Sequence, residues 1–227
     1  ISDPEKLSLF EKIFDDSEYK KLKPFGNPYF NVRSVISEIS SLKRENILPE
    51  VFLAEVLDQQ KNINSLEDLT HQKGAHKGKV KKEHKDALLK LEKNIELADI
   101  NKKYEKGMRE SNFIDYEDMI IQFVSVMEKD EDFKLMLQEE YQYILADEHQ
   151  DTNQGQNKIL EQLSSFHEQP NLFVVGDEKQ AIFRFQGASL ANFLYFKDIY
   201  PEALLISLKD NYRSTQHILD ASHSLIG

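Results

Sequence analysis

The chain has 227 residues, 40% hydrophobic and 30% charged, enough for one large domain or two small ones with a buried core. It has no cysteine, which excludes disulfides and thiolate metal sites and fits a reducing, cytoplasmic setting, and no apolar run approaches the roughly 20 residues of a membrane span, so no membrane partner is expected. The formal net charge of −11 argues against a protein that coats nucleic acid with its whole surface, but it leaves room for a local basic groove.

Taken in chain order, the first half reads as helical. No signal peptide is visible at Ile1-Ser2-Asp3, and the chain does not begin with Met, so a processed product or an excised segment is expected. Val32, Val35, Ile36, Ile39 and Leu42 recur at helical spacing and predict one apolar face. Pro49 suits the first turn of the next helix, which carries Val51, Phe52, Val56 and Leu57. A polar stretch with Gly74 and Gly78 then predicts a loop. Residues 71–93 hold eight lysines against three acidic residues, Lys79, Lys81 and Lys82 among them, and form the one candidate basic surface. From about Glu83 a long helix resumes with Leu88, Leu91, Ile95 and Ala98 on one face. Asp115 is placed to cap a helix through Met119, Ile120, Phe123, Val124 and Met127.

The second half changes period. Tyr143–Ala146, Asn171–Gly176 and Ala203–Leu208 are three strand candidates, separated by helical stretches around Ile159, Leu160 and Leu163 and from Ser189 to about Asp198. Strands alternating with helices predict an α/β fold with a largely parallel sheet. A last helix is expected near Thr215, burying Ile218, Leu219 and Leu225. The expected division is a mainly helical region over 1–110 and an α/β region over 111–227.

Each strand candidate ends at polar residues suited to phosphate chemistry. Ile144-Leu145-Ala146 stops at Asp147-Glu148, and carboxylates cannot stay buried unpaired, so the pair belongs at the sheet's rim. A carboxylate such as Asp147 can hold magnesium, and a neighbouring Glu148 can deprotonate a water. The second strand leads into Gly176-Asp177-Glu178-Lys179-Gln180, where Gln180 could sense a γ-phosphate. Beyond it, Phe183 and Phe185 flank Arg184, an arrangement that can stack on unpaired bases. The third leads to Asn211-Tyr212-Arg213-Ser214, where Tyr212 can stack on a purine and Arg213 can stabilise a transferring phosphoryl group. Singly, each of these is as well read as a cap, a core residue or a loop residue; their order and spacing together are the specific signal.

These segments resemble the superfamily-one DNA helicases of the UvrD/Rep/PcrA type. YILADEHQDTN is similar to helicase motif II, VVGDEKQAIFRFQGA to motif III and LKDNYRST to motif IV. NFIDYEDMI resembles the short segment before motif II, and VISEISSLKRENILPEVF the helical insertion subdomain. The resemblance implies part of a RecA-like P-loop NTPase motor lobe plus that insertion. It implies ATP and Mg2+ as cofactors, with single-stranded DNA, ss/ds DNA junctions and the remaining helicase lobes of a parent chain as partners. It assigns Asp147 to magnesium, Glu148 to the catalytic base, Gln180 to the link between nucleotide and DNA, Phe183 and Phe185 to base stacking, Tyr212 to the adenine and Arg213 to the γ-phosphate. The lysines of 73–85 fall where the insertion can touch duplex DNA.

Three residues depart from the pattern: His149 stands in place of phenylalanine, Ala181 of serine, and Gln186 of the arginine before Gly-Ala. No G-x-x-x-x-G-K-[ST] phosphate loop occurs, and Gly74, Gly78 and Gly107 do not approximate one. The expectation is therefore an internal helicase fragment that does not hydrolyse ATP alone. The alternative is a stand-alone adaptor or DNA-binding module that kept the shape and lost the motor.

Overall fold

A computed structural model describes residues 1–66, 68–71, 78–177 and 190–226. The chain forms two compact units, Ile1–Phe133 and Lys134–Gly227. The sequence places the change of character near residue 110; the packing places it after Phe133, because the helix capped by Asp115 is built into the first unit.

Among the described residues, five helices make up most of the first unit: α1 (Asp3–Asp15), α2 (Val32–Arg44), α3 (Pro49–Asn64), α4 (Lys82–Glu110) and α5 (Tyr116–Lys129). The apolar face predicted for α2 is the one that packs: Val32, Val35 and Ile39 are buried, with Ile36 and Leu42 against the same cluster. Phe10, Ile13 and Phe14 of α1 and Leu97, Ile100, Tyr104 and Met108 of α4 complete that core. Phe10 stacks on Tyr104 with ring centroids 4.6 Å apart. Each fully buried ring of this kind contributes about 1.5–3 kcal/mol relative to exposure. Pro49 opens α3 as expected; of the four apolar residues singled out in it from the sequence, Val56 is buried and Phe52 packs on the core, while Val51 and Leu57 remain exposed.

Gly107 lies inside α4, where glycine ordinarily weakens a helix. A Cβ there would stand 2.9 Å from Leu9 Cδ1, so the glycine lets α1 pack closely. Helices α2 and α4 end alike. Asn46 and Asn112 take left-handed φ values of 54° and 53°, and the next residues, Ile47 and Phe113, donate N–H bonds back to Leu42 O and Met108 O at 2.9 Å.

A buried ion cluster joins four of these helices. Lys43 of α2 is 4% exposed, and its ammonium contacts Asp115 Oδ2 at 2.9 Å, Glu105 Oε1 at 3.0 Å and the Asp118 carboxylate. Tyr104 Oη donates to Asp115 Oδ2 at 2.9 Å, and Lys6 of α1 lies 3.3 Å from the same oxygen. Asp115 also caps α5, accepting from Asp118 N–H while Asp118 accepts from Asp115 N–H. Burial alone would lower the Lys43 pKa and raise that of Asp115; the opposite charges outweigh it, holding Lys43 above and Asp115 well below the ordinary value. Burial and the adjacent Asp115 push the Tyr104 phenol up.

The second unit holds most of α6 (Glu131–Glu140), two strands, β1 (Ile144–Ala146) and β2 (Leu172–Val174), and helices α7 (Gln154–Ser164), α8 (Leu190–Ile199) and α9 (Gln216–Ile226). The strands pair in parallel, with Ile144 opposite Leu172 and Ala146 opposite Val174, and α7 makes the crossover. The fold is thus α/β, mostly helical with a small parallel sheet, as the alternation predicts. One sheet face is partly covered; on the other, Leu145 is 78% exposed and Phe173 is also exposed.

Two expectations fail here. Residues 203–208 are not a strand: Leu204, Leu205, Ile206 and Leu208 are exposed and pair with no neighbour among the described residues. An apolar run supplies the side chains for a strand, but the strand itself exists only through backbone bonds to a partner. The last helix forms near the expected place, yet Ile218 is exposed instead of buried.

Lys43→Met would leave the Asp118 carboxylate without its ammonium and Asp115 with Lys6 alone, and about 3–5 kcal/mol of stability should be lost in denaturant titration of the first unit. The depressed Asp115 pKa gives stability that is present above the ordinary carboxylate range and lost as pH falls through the folded value. Its contribution should therefore hold from neutrality down to about pH 4 and decline below it, which acid-dependent melting would register.

Candidate functional site

A parallel pair sends both strands toward the same rim, and that is where the first two predicted segments meet. His149 N–H donates to Val175 O and Val175 N–H to Ala146 O, both at 2.8 Å, so the ladder continues past the strands into the acidic turn. Asp147 and Glu148 are exposed at this rim. Glu148 adopts a left-handed backbone, φ 51° and ψ 39°, which costs a non-glycine residue of order 1 kcal/mol. Such strain collects at functional sites, and here it is stabilised locally: Glu148 N–H donates to Asp147 Oδ1 at 2.9 Å.

Gln150 organises the rim, and the sequence reading did not single it out. Its side chain is buried; Nε2 donates to Glu148 Oε2 at 2.5 Å and Oε1 accepts from Asp177 N–H at 3.0 Å. One amide thus fixes the carboxylate at the end of β1 and the backbone after β2. Gly176 makes room for it, because a Cβ there would lie 3.0 Å from Gln150 Oε1. The clue available in the sequence was a glutamine two residues beyond an acidic pair, at a position where burial demands partners for both ends of the amide.

The chemistry of the rim is that of hard oxygen ligands. Asp147 Oδ2 has no hydrogen-bond partner among the described residues and suits a cation such as magnesium, which takes one or two carboxylates and keeps its water. Glu148 Oε1 is likewise without a partner there, so one oxygen is held by Gln150 while the other can accept a proton. A second group that could hold a metal, Asp68, Glu83 and His84, lies in the first unit, where Lys81 already pairs with Asp68 Oδ2 at 2.9 Å.

His149, next to the pair, is fully enclosed. Its ring meets Phe196 edge-on at 5.4 Å and lines a small cavity with Asn157, Leu160, Leu172, Phe196 and Tyr200. Burial pushes its pKa below the ordinary value, partly opposed by Asn157, and Nδ1 is buried without a hydrogen-bond partner among the described residues.

The third segment does not join the rim. Tyr212 is 94% exposed, and Arg213 is exposed with no ion pair among the described residues. Local order there comes from Asn211 Oδ1, which accepts from the N–H groups of Arg213 and Ser214, both at 2.9 Å. Gln180, Phe183, Arg184 and Phe185, with Ala181 and Gln186, lie outside the described residues. Lys79 and Lys82 are exposed; Lys81 is tied to Asp68, next to an isolated antiparallel bridge between Thr70 and Val80. Among the described residues, no helix is long and apolar enough to cross a membrane.

A parallel strand–helix–strand unit with an acidic pair at its carboxyl-end rim is an α/β arrangement, a class in which ligands are commonly bound where the strands end. Within that class, the UvrD/REP helicase N-terminal domain profile matches residues 8–201, and the chain belongs to that family. It is 31% identical over 199 residues, 86% of the chain, to an ATP-dependent DNA helicase PcrA of Staphylococcus epidermidis. It is 36% identical over 130 residues, 57% of the chain, to the ATP-dependent DNA helicase PcrA of Bacillus subtilis. The matched stretches are 25% and 17% of those relatives, so the chain spans a quarter or less of their length.

Replacing His149 by Phe, the residue usual in the resembling motif, removes a buried ring nitrogen that lacks a partner among the described residues. His149→Phe should stabilise the second unit by about 1 kcal/mol at neutral pH. Because the folded pKa is depressed, the unfolded chain protonates first, and stability falls as pH drops below about 6.5. Melting temperatures taken across this range should show a decline in the parent chain that the variant lacks.

Proposed function

We propose that this chain serves an ATP-dependent, superfamily-one DNA helicase that moves on single-stranded DNA and opens duplex, in the setting of DNA repair. Residues 1–110 act as the helical insertion and those from 111 onward as part of a RecA-like motor lobe, with α5 packed back on the insertion. The observation that carries the reading is Glu148: strained, exposed at the rim beside Asp147, and fixed through one oxygen by the buried Gln150.

ATP with magnesium supplies the phosphoryl group and the cation that neutralises its charge. Asp147 offers the oxygen that would hold the magnesium. Glu148 keeps its carboxylate oriented through Gln150 and takes a proton from the attacking water at Oε1. Gln150 spans from Glu148 to the Asp177 backbone, so a change at the γ-phosphate would reach the chain entering the Gln180 segment. Arg213 would reach the γ-phosphate and Tyr212 the adenine once the 203–214 segment packs on the nucleotide. Phe183 and Phe185 with Arg184 would hold unpaired bases, and Lys79 and Lys82 the duplex ahead of the motor. The name shared by the similar bacterial proteins, ATP-dependent DNA helicase, supports this class of substrate.

The chain carries no phosphate-loop pattern, and alone it should release no phosphate from ATP, with or without single-stranded DNA. Joined to a segment that supplies such a loop, it should show DNA-stimulated turnover that falls by about 100-fold or more in Glu148→Gln. Turnover indifferent to Glu148→Gln would refute the assignment of the base; no turnover in the joined protein would favour an adaptor that has lost the motor.

A further inference from the structure

The connection from α1 to α2 differs in chemistry from the rest of this acidic chain. No acidic residue occurs from Tyr19 to Ser37, while Lys20, Lys21, Lys23 and Arg33 alternate with Tyr19, Phe25, Tyr29 and Phe30. The loop is firmly tied. Glu96 of α4 accepts the backbone N–H groups of Lys20, Lys21 and Leu22 at 2.8, 3.0 and 2.8 Å. Lys23 Nζ donates to Phe14 O and Ser17 O, closing the carboxyl end of α1. Asn31 Nδ2 donates to Leu22 O at 2.8 Å, and Tyr29 Oη to Asp15 Oδ1 at 2.7 Å.

Despite this anchoring, two phenyl rings are left in solvent. Phe25 is fully exposed and Phe30 is 73% exposed. Gly26 follows Phe25 with φ +94°, a backbone that L side chains rarely adopt, and turns the chain directly behind the ring. Among the described residues neither ring pairs with another aromatic. Lys21 is engaged by Glu92 at 2.8 Å, whereas Lys20 and Arg33 are exposed and have no ion pair among the described residues.

We infer that this loop is a stacking platform for single-stranded nucleic acid, on which Phe25 and Phe30 take unpaired bases while Lys20 and Arg33 meet the neighbouring phosphates. Rings held in water by a fixed backbone offer π faces, and a segment without acidic residues of its own, with Lys20 and Arg33 exposed and in no ion pair among the described residues, matches a polymer that alternates bases with negative charge. The inference rests on the function proposed above only for the class of polymer, and its residues are separate from Phe183 and Phe185.

The chain contains no tryptophan, so Phe25→Trp creates a single reporter at the loop. Its emission should be quenched on titration with an oligothymidylate strand at low salt. Phe25→Ala combined with Phe30→Ala should weaken binding about tenfold or more, with the circular dichroism of the parent retained because both rings are exposed. Arg33→Gln should reduce the slope of log affinity against log salt by about 0.7. Unchanged Trp emission at saturation, parental affinity in the double variant, equal affinity for duplex, or no binding by the parent chain would each overturn the inference. Phe185→Ala separates the two readings: loss of binding there alone leaves the motor assignment standing and removes this one, and loss in the Phe25/Phe30 variant alone does the reverse.

Discussion

Parallel pairing of two short strands is the constraint on which the candidate site depends. Antiparallel strands would carry the residues after β1 and β2 to opposite ends; parallel ones carry them to one rim. The ladder bonds from Val175 to Ala146 and from His149 to Val175 extend that geometry into the acidic turn. Glu148 could not hold its left-handed conformation as an isolated loop residue. It does so because the strand fixes the backbone before it and Gln150 fixes the carboxylate after it. Rigidity of this kind is what the proton acceptor proposed above needs, since its oxygen must already stand in place when a water attacks.

In the first unit the comparable role falls to a lysine. Hydrophobic burial aligns α1, α2 and α4 along Phe10, Ile39 and Tyr104, but it is non-directional and tolerates sliding. The Lys43 ammonium adds direction, because it must meet Asp115, Asp118 and Glu105 together. Replacing all of these groups by well-packed apolar side chains could be neutral or stabilising; removing the cation alone strands the carboxylates. Asp115 has two tasks, as cap of α5 and as anion of the cluster, so the start of α5 is locked to α2.

What could be read in the sequence was what depends on neighbours in sequence. The α2 face, the Pro49 start, the Asp115 cap and the first two strands follow from local spacing and capping chemistry, and all stand in the structure. Three features did not follow. Lys43 reads as a surface residue because lysine ordinarily is one; only partners distant in sequence explain its burial. Residues 203–208 have the composition of a strand, but composition does not supply a strand to pair with. The place where the units separate depends on which helix Asp115 is tied to, a contact 72 residues away from Lys43 along the chain. At the candidate site, the acidic pair was legible from its abrupt polarity after an apolar run. Gln150 was not, since its importance lies in what each end of the amide touches.

The unpaired stretch Ala203-Leu204-Leu205-Ile206-Ser207-Leu208 also bears on how the chain behaves at high concentration. It is a largely apolar, uncharged window without proline, open to solvent along its length, in the same unit as a two-stranded sheet with a bare apolar face. That combination is a template for edge-to-edge association between copies. Pro201 and Glu202 immediately precede it, and Lys209 and Asp210 immediately follow. A proline that cannot donate to a ladder and three charges that resist stacking act as gatekeepers, so a segment left unpaired among the described residues is flanked by residues that oppose aggregation.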